Sequence, residues 1–342
     1  MMNDLSKSNG MPEKRAFPLL KIADGDLIAA ELSYVGINCT LLKTVESPTA
    51  FTHIYRVASP AQLMKLKKAC EVLYFRLKTK VTAIPTDEEG ADFALIVEKR
   101  QADSPLWKDY TSELKGKSEY LVGIDIENKL VKLDFQKVPH LLIAGASGAG
   151  KSVALHTILQ SLMVNNKSIS KMEWALIDTK QSELTRYADS PLVGTPVATT
   201  VIQAVDLLRC SEAIMRDRYE RMKKQGQTMT TEKPVVIVVD ELADLMMGGR
   251  AVVEPLIVKI AQLGRAANIH LILATQRPTV DVCTGHIKAN ISARLALMTA
   301  SARDSMNILD RKGAEELKGR GDGLLKLPNE QIKRLQVFNN KQ

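Results

Sequence analysis

A stretch beginning at His140, HLLIAGASGAGKSVALHTIL, constrains this chain more than any other. A strand-sized apolar run, Leu141–Ala144, leads into a glycine-rich turn, and apolar residues at helical spacing follow. Within the turn, Gly145, four residues, Gly150, Lys151 and Ser152 make the pattern G-x-x-x-x-G-K-S. The loop Gly145, Ala146, Ser147, Gly148, Ala149 and Gly150 must curl so that its N–H groups converge, which glycine permits. Lys151, Ser152 and Val153 open the helix, whose N-terminus adds about half a positive charge at the same place. Such a cradle holds phosphate oxygens. Lys151 is placed to neutralise the β- and γ-phosphates of ATP, and Ser152 to hold Mg2+ through its hydroxyl.

A second apolar run, Val235–Val239, ends in Asp240 and Glu241. A carboxylate at the tip of a central strand can coordinate Mg2+, the role expected of Asp240. Glu241 is expected to polarise the attacking water as general base. Adjacent acids are expected to raise each other's pKa, and the same pair can also cap the next helix. The run His270–Thr275 ends in Gln276, whose side chain is expected to sense the γ-phosphate or the water. This set points to hydrolysis of ATP. Trp174–Ile177 and Arg294–Thr299 are further apolar runs, and helices are read at 151–164, 202–225, 252–266 and 301–309. Strands apolar on both faces, alternating with helices, predict an α/β fold: a parallel sheet covered on both sides, with ligands at the carboxyl ends of its strands.

At 342 residues the chain is long enough for two domains. We read 1–17 as a disordered tail, 18–100 as a small α+β domain, 101–118 as a linker, 119–330 as the nucleotide-binding domain and 331–342 as a tail. In the first domain, Ser59 before Pro60 with Gln62 three residues on reads as a capped helix start. Val81–Ile84 and Phe93–Val97 read as a hairpin. No run of 18 apolar residues exists, so no membrane-spanning helix is expected. Cysteines 39, 70, 210 and 283 lie far apart, as reduced thiols in a cytoplasmic protein would. The net charge of +8 permits a polyanionic partner, while 4% aromatic residues argue against stacking on unpaired bases.

The motifs VPHLLIAGASGAGKSVALH, VVIVVDELADLMM, IAQLGRAANIHLILATQRPTVDVCTGHIKANISARLA and DSMNILDRKGAEELKGRGDGLL resemble the motor of the FtsK/SpoIIIE DNA translocases over about residues 105–328. Residues 55–100 are weakly similar to the small α domain that precedes that motor. The resemblance implies a RecA-like P-loop NTPase core in a homo-hexameric ring, pumping double-stranded DNA through its pore with ATP and Mg2+. It supports the same roles for Lys151, Ser152, Asp240, Glu241 and Gln276. It also implies an arginine supplied by the neighbouring subunit, Arg265 first, then Arg294 and Arg303. Pore loops are implied at DTKQSELTRY and ERMKKQGQT, making Lys180, Arg186, Lys223 and Lys224 the DNA-contacting residues. Septal members carry a membrane anchor and a winged-helix module; neither is expected here, and a separate loading or anchoring protein is a possible partner. A plasmid, phage or mobile element is the expected setting. The alternative is a conjugation or secretion ATPase that moves protein or a protein–DNA complex.

Overall fold

The computed structural model describes residues 22–86, 89–99, 105–166 and 172–339. The tail expected at 1–17 lies outside the described residues. The chain divides into two compact units, the smaller ending at Arg100.

The smaller unit contains helix α1 (Gly25–Tyr34), strands β1 (Cys39–Glu46) and β2 (Ala50–Val57), helix α2 (Leu66–Leu77), and strands β3 (Val81–Pro85) and β4 (Phe93–Glu98). Its sheet runs β1-β2-β4-β3, with β3 and β4 forming the expected antiparallel hairpin. Ile28, Leu32, Leu73 and Leu77 of the helices pack on Tyr55, Phe93, Leu95 and Val97 of the sheet. The start at Ser59 differs from the sequence reading. Residues 60–65 form a 3-10 turn in which the Ser59 side chain makes no capping bond. Gln62 Oε1 instead accepts from the Asn38 N–H at 2.8 Å, a partner that local spacing cannot reveal.

The larger unit begins, in its described part, within the expected linker. Residues 107–113 form a 3-10 helix whose Trp107 is buried against Leu121, Ile124 and Phe338. Then come β5 (Glu119–Asp125), β6 (Leu130–Asp134), β7 (His140–Ala144), α3 (Lys151–Asn165), β8 (Glu173–Ile177), α4 (Val201–Gln225), β9 (Val235–Val239), α5 (Leu242–Leu263), β10 (Ile269–Thr275), α6 (Gly285–Asn290), β11 (Ala293–Leu297), α7 (Ala302–Leu309), β12 (Asp322–Lys326) and β13 (Lys333–Val337).

The nine strands form one sheet, β6-β5-β13-β12-β11-β7-β10-β9-β8. The five apolar runs singled out by sequence, β11, β7, β10, β9 and β8, are all parallel. Alternate residues of one strand serve two cores. Val236 and Val238 pack with Leu155, Ile158 and Leu162 of α3. Val235, Ile237 and Val239 pack with Leu208 and Met215 of α4 and Ile257 and Ile260 of α5. Burial on both faces is why these strands read as unbroken apolar runs.

The other four strands are antiparallel additions, so the sheet is mixed. β13 lies where a tail is expected. It pairs with both β12 and β5, burying Leu335, Val337 and Phe338. Lys333, Arg334 and Gln336 among its apolar residues disguise it, and its pairing partner β5 lies at the other end of the unit's sequence, with Leu335 opposite Asp125. Among the described residues, no helix is long and apolar enough to cross a membrane. Removing residues 329–342 strips β13 from between two strands and deletes three buried apolar side chains, whose burial is worth roughly 5 kcal/mol or more. Chemical denaturation of the shortened chain should show the larger unit's transition lost; a midpoint equal to the parent's contradicts this placement.

Candidate active site

Because β7, β10, β9 and β8 are parallel neighbours, their carboxyl ends share one edge. That edge gathers Gly145 after β7, Gln276 after β10, Asp240 after β9 and Asp178 after β8. The phosphate loop is tied to the sheet through its backbone: Gly145 N–H donates to Thr275 O at 3.2 Å and Ala146 N–H to Met298 O at 2.8 Å. Gly150 adopts φ +104°, and a Cβ there would lie 2.6 Å from Gly321 N. Gly321 N–H in turn donates to Ala149 O at 2.8 Å, so the strap before β12 braces the loop. Only glycine fits both demands.

Lys151 opens α3 and is 3% exposed. Its ammonium donates to Asp240 O at 2.8 Å and to Asp240 Oδ1 at 2.5 Å. Burial raises the Asp240 carboxyl above its usual range, against the opposing pull of Lys151, and the charges of Asp178 and Glu183 push the same way as burial. Glu241 shifts oppositely. Burial disfavours its charge, yet the Thr275 hydroxyl and the Lys180 ammonium hold its pKa below the ordinary value. The expectation that these adjacent acids raise each other is therefore corrected: Asp240 turns to Lys151 while Glu241 turns to donors on β10 and the loop after β8. Glu241 Oε1 accepts from Thr275 Oγ1 at 2.6 Å, and the Gln276 N–H reaches both carboxylate oxygens at 3.2 Å. It also caps α5, accepting from the Ala243 N–H at 3.4 Å. A first helical segment therefore starts at Leu242, and non-helical backbone at Gly249 (φ −162°, ψ 29°) divides it from a second segment, in which the helix expected from 252 lies.

The loop after β8 supplies what the sequence reading missed. Glu183 Oε1 accepts from Ser152 Oγ at 2.6 Å, and Glu183 Oε2 lies 2.8 Å from His156 Nε2. Tyr187 Oη lies 2.9 Å from His156 Nδ1, closing a chain from the phosphate loop into the core. Asp178 shapes this loop. Burial opposes its charge, but backbone N–H groups of Ser182, Glu183, Leu184 and Thr185 converge on its carboxylate and hold its pKa low. An acid at the carboxyl end of a parallel strand beside Asp240 is the signal that could have found this set.

The expected DNA contacts do not form one patch. Lys180 lies at the site itself, its ammonium 2.9 Å from Glu241 Oε2. Arg186 is exposed on the same loop. Lys223 and Lys224 are exposed in the last turn of α4. That end lies at the opposite edge of the sheet, where Arg218 of α4 donates to Ala267 O and Lys233 O just before β10 and β9. Arg265 is also at this opposite edge, donating to Gln136 O at 2.9 Å. β10 separates it from Gln276 by on the order of 20 Å. Arg294 is 6% exposed and bonded to Ile291 O, Ile308 O, Lys288 O and Asp310.

A mixed sheet whose parallel strands present a phosphate loop, a strand-end acid pair and a polar strand tip on one edge defines a P-loop ATPase. The FtsK/SpoIIIE family model matches residues 103–233 and 222–280. A DNA translocase FtsK of Lactiplantibacillus plantarum is 44% identical over 59% of this chain and 28% of its own length. That of Halalkalibacterium halodurans is 35% identical over 92% of this chain and 42% of its own. The chain thus spans under half the length of these relatives. The chain belongs to the FtsK/SpoIIIE family. The fold is shared with the pCW3 conjugation coupling protein TcpA, solved in monomer form with ATPγS (TM-score 0.65, 23% identity, 92% of this chain and 94% of that one). It is also shared with the cytoplasmic domain of the Thermomonospora curvata type VII secretion ATPase EccC (TM-score 0.56, 25% identity, 65% and 29%).

Gly150→Ala forces a side chain into left-handed backbone and against Gly321. It should weaken binding of a fluorescent ATP analogue roughly tenfold or more. An unchanged affinity would show that the loop does not need this conformation.

Proposed function

We propose that this chain is the motor of an ATP-driven double-stranded DNA translocase. One observation carries the reading: the chain is 35–44% identical, over 59–92% of its length, to proteins named DNA translocase FtsK, and the family match at 103–233 and 222–280 takes in the site residues. In this reading the loop from Gly145 to Val153 holds the triphosphate and Lys151 leaves Asp240 for the β- and γ-phosphates. Glu241 takes a proton from water as its oxygen attacks the γ-phosphorus and the bond to ADP breaks. Gln276, whose backbone is already fixed to Glu241, positions that water or reports the γ-phosphate.

The donors suit Mg2+. Ser152 hydroxyl and Asp240 carboxylate are hard oxygens, with Glu183 beside them, and nitrogen or sulfur ligands are not among them. Mg2+ held by Ser152 and Asp240 would offset phosphate charge.

Arg265 cannot serve the phosphate loop of its own chain, because the height of the sheet separates them. Its position supports donation to a neighbour's site, and hence a ring, taken here as a hexamer, with ATP between subunits. Lys180 and Arg186 at one edge, and Lys223 and Lys224 at the other, offer phosphate contacts at two levels of a pore. We place the motor in the cytoplasm, in the service of a mobile element or phage, with a loading or anchoring partner. The likeness to a secretion ATPase favours the alternative of a protein or protein–DNA substrate.

Stimulation of ATP hydrolysis by duplex DNA separates the two: several-fold stimulation is expected, and none with any duplex would overturn the DNA reading. Lys151→Ala should abolish hydrolysis and weaken ATP binding. Glu241→Gln should keep ATP affinity while kcat falls by about 10²- to 10⁴-fold. Hydrolysis at the parent rate in Glu241→Gln would remove Glu241 as base.

A further inference from the structure

One loop touches both halves of the nucleotide site. From Asp178 to Tyr187 it places Glu183 on Ser152 of the phosphate loop and Lys180 on Glu241 of the acid pair. The second contact has a consequence for catalysis. Oε1 of Glu241 accepts from Thr275 Oγ1, and Oε2 accepts from Lys180, with the Gln276 N–H shared between them. Held this way, both carboxylate oxygens are engaged by donors of the protein. The Lys180 ammonium occupies an oxygen that a general base would turn to its water.

The donors differ in how they can be removed. Thr275 is fully buried at the end of a central strand, and the Gln276 N–H belongs to the same strand end. Lys180 is on a loop, its side chain 38% exposed against 2% for Glu241. Something outside the protein can therefore reach the ammonium without reaching the carboxylate. The backbone beside it is also poised. Gln181, a non-glycine residue, sits at φ +54°, in a turn closed by its N–H to Asp178 O at 3.2 Å. A left-handed residue next to a functional lysine stores strain that a shift of the turn relieves. The rest of the loop is anchored separately by the Asp178 carboxylate, which takes the N–H groups of 182–185 and none from 179–181. Thr179 Oγ1 also donates to Asp244 Oδ2 at 3.0 Å.

We propose that Lys180 is a latch on the catalytic base: paired with Glu241 it holds hydrolysis low, and phosphates of a duplex on this loop draw it away and free the base. The release half rests on the DNA reading above; the latch itself does not. A polyanion competes for the ammonium by the same charge attraction that makes the pair, and Arg186 on the exposed side of the loop adds a second point of capture. Loading of DNA then switches on ATP consumption, without a separate regulator.

Lys180→Met removes the charge and keeps most of the stem. Steady-state hydrolysis is measured with and without duplex DNA, alongside the Kd of a fluorescent ATP analogue as a check on folding. The latch predicts a basal kcat raised several-fold, little change in KM, and a ratio of stimulated to basal rate falling towards one. Lys180→Arg, which retains a cation, should keep a larger ratio than Lys180→Met. A basal kcat that falls with the stimulated one would make Lys180 part of the catalytic apparatus and overturn the latch. Unchanged rates with and without DNA would also overturn it. If the parent ignores duplex DNA, the DNA reading and the release step fail, while a raised basal rate in Lys180→Met still supports the latch.

Discussion

Buried charge governs this structure. Lys151 and Asp240 are both almost wholly removed from water, and neither would be tolerated there alone. Their pairing lets a cation stand inside the mouth of a glycine loop and an acid stand at the tip of an apolar strand. A few ångströms along the same edge, Glu241 depends in the same way on Thr275 and Lys180. In the reading proposed above, each cation leaves its carboxylate when a more strongly charged group arrives. That group is proposed to be a phosphate chain for Lys151 and a duplex backbone for Lys180.

The sheet makes this possible. Parallel strands deliver every carboxyl end to one edge, and their two buried faces leave little freedom for that edge to shift. Charged residues that have no part in the site collect at the other edge, Arg265 with Lys223 and Lys224 among them. A subunit with its nucleotide at one edge and its spare arginine at the other is suited to work beside a copy of itself. That polarity is the structural basis for proposing an assembly in which each site is completed by a neighbour.

Local signals carried much of this. The phosphate loop, Asp240, Glu241 and the five parallel strands could be read directly, because glycine spacing and double-sided burial write themselves into contiguous residues. The antiparallel half of the sheet was less visible. β6 alternates Leu130, Val131, Lys132, Leu133 and Asp134 on a half-covered surface, and β13 mixes charge with apolar residues. The turn between β5 and β6 left a trace in Asp125, whose carboxylate takes the Glu127 and Lys129 N–H groups, with Asn128 left-handed beside it. Beyond Asp178 at the end of β8, Glu183 and the Lys180–Glu241 pair had no local signature. Their partners are 31 and 61 residues away in sequence, and only the packing of β8 beside β9 brings them together.

The central claim is that ATP cleaved at this edge moves duplex DNA past the protein. Displacement of a third strand from a triplex at the end of a long duplex measures that movement without reference to hydrolysis. The account predicts displacement that requires ATP and is absent with a non-hydrolysable analogue. Hydrolysis that proceeds on the same DNA with the third strand left in place would contradict it.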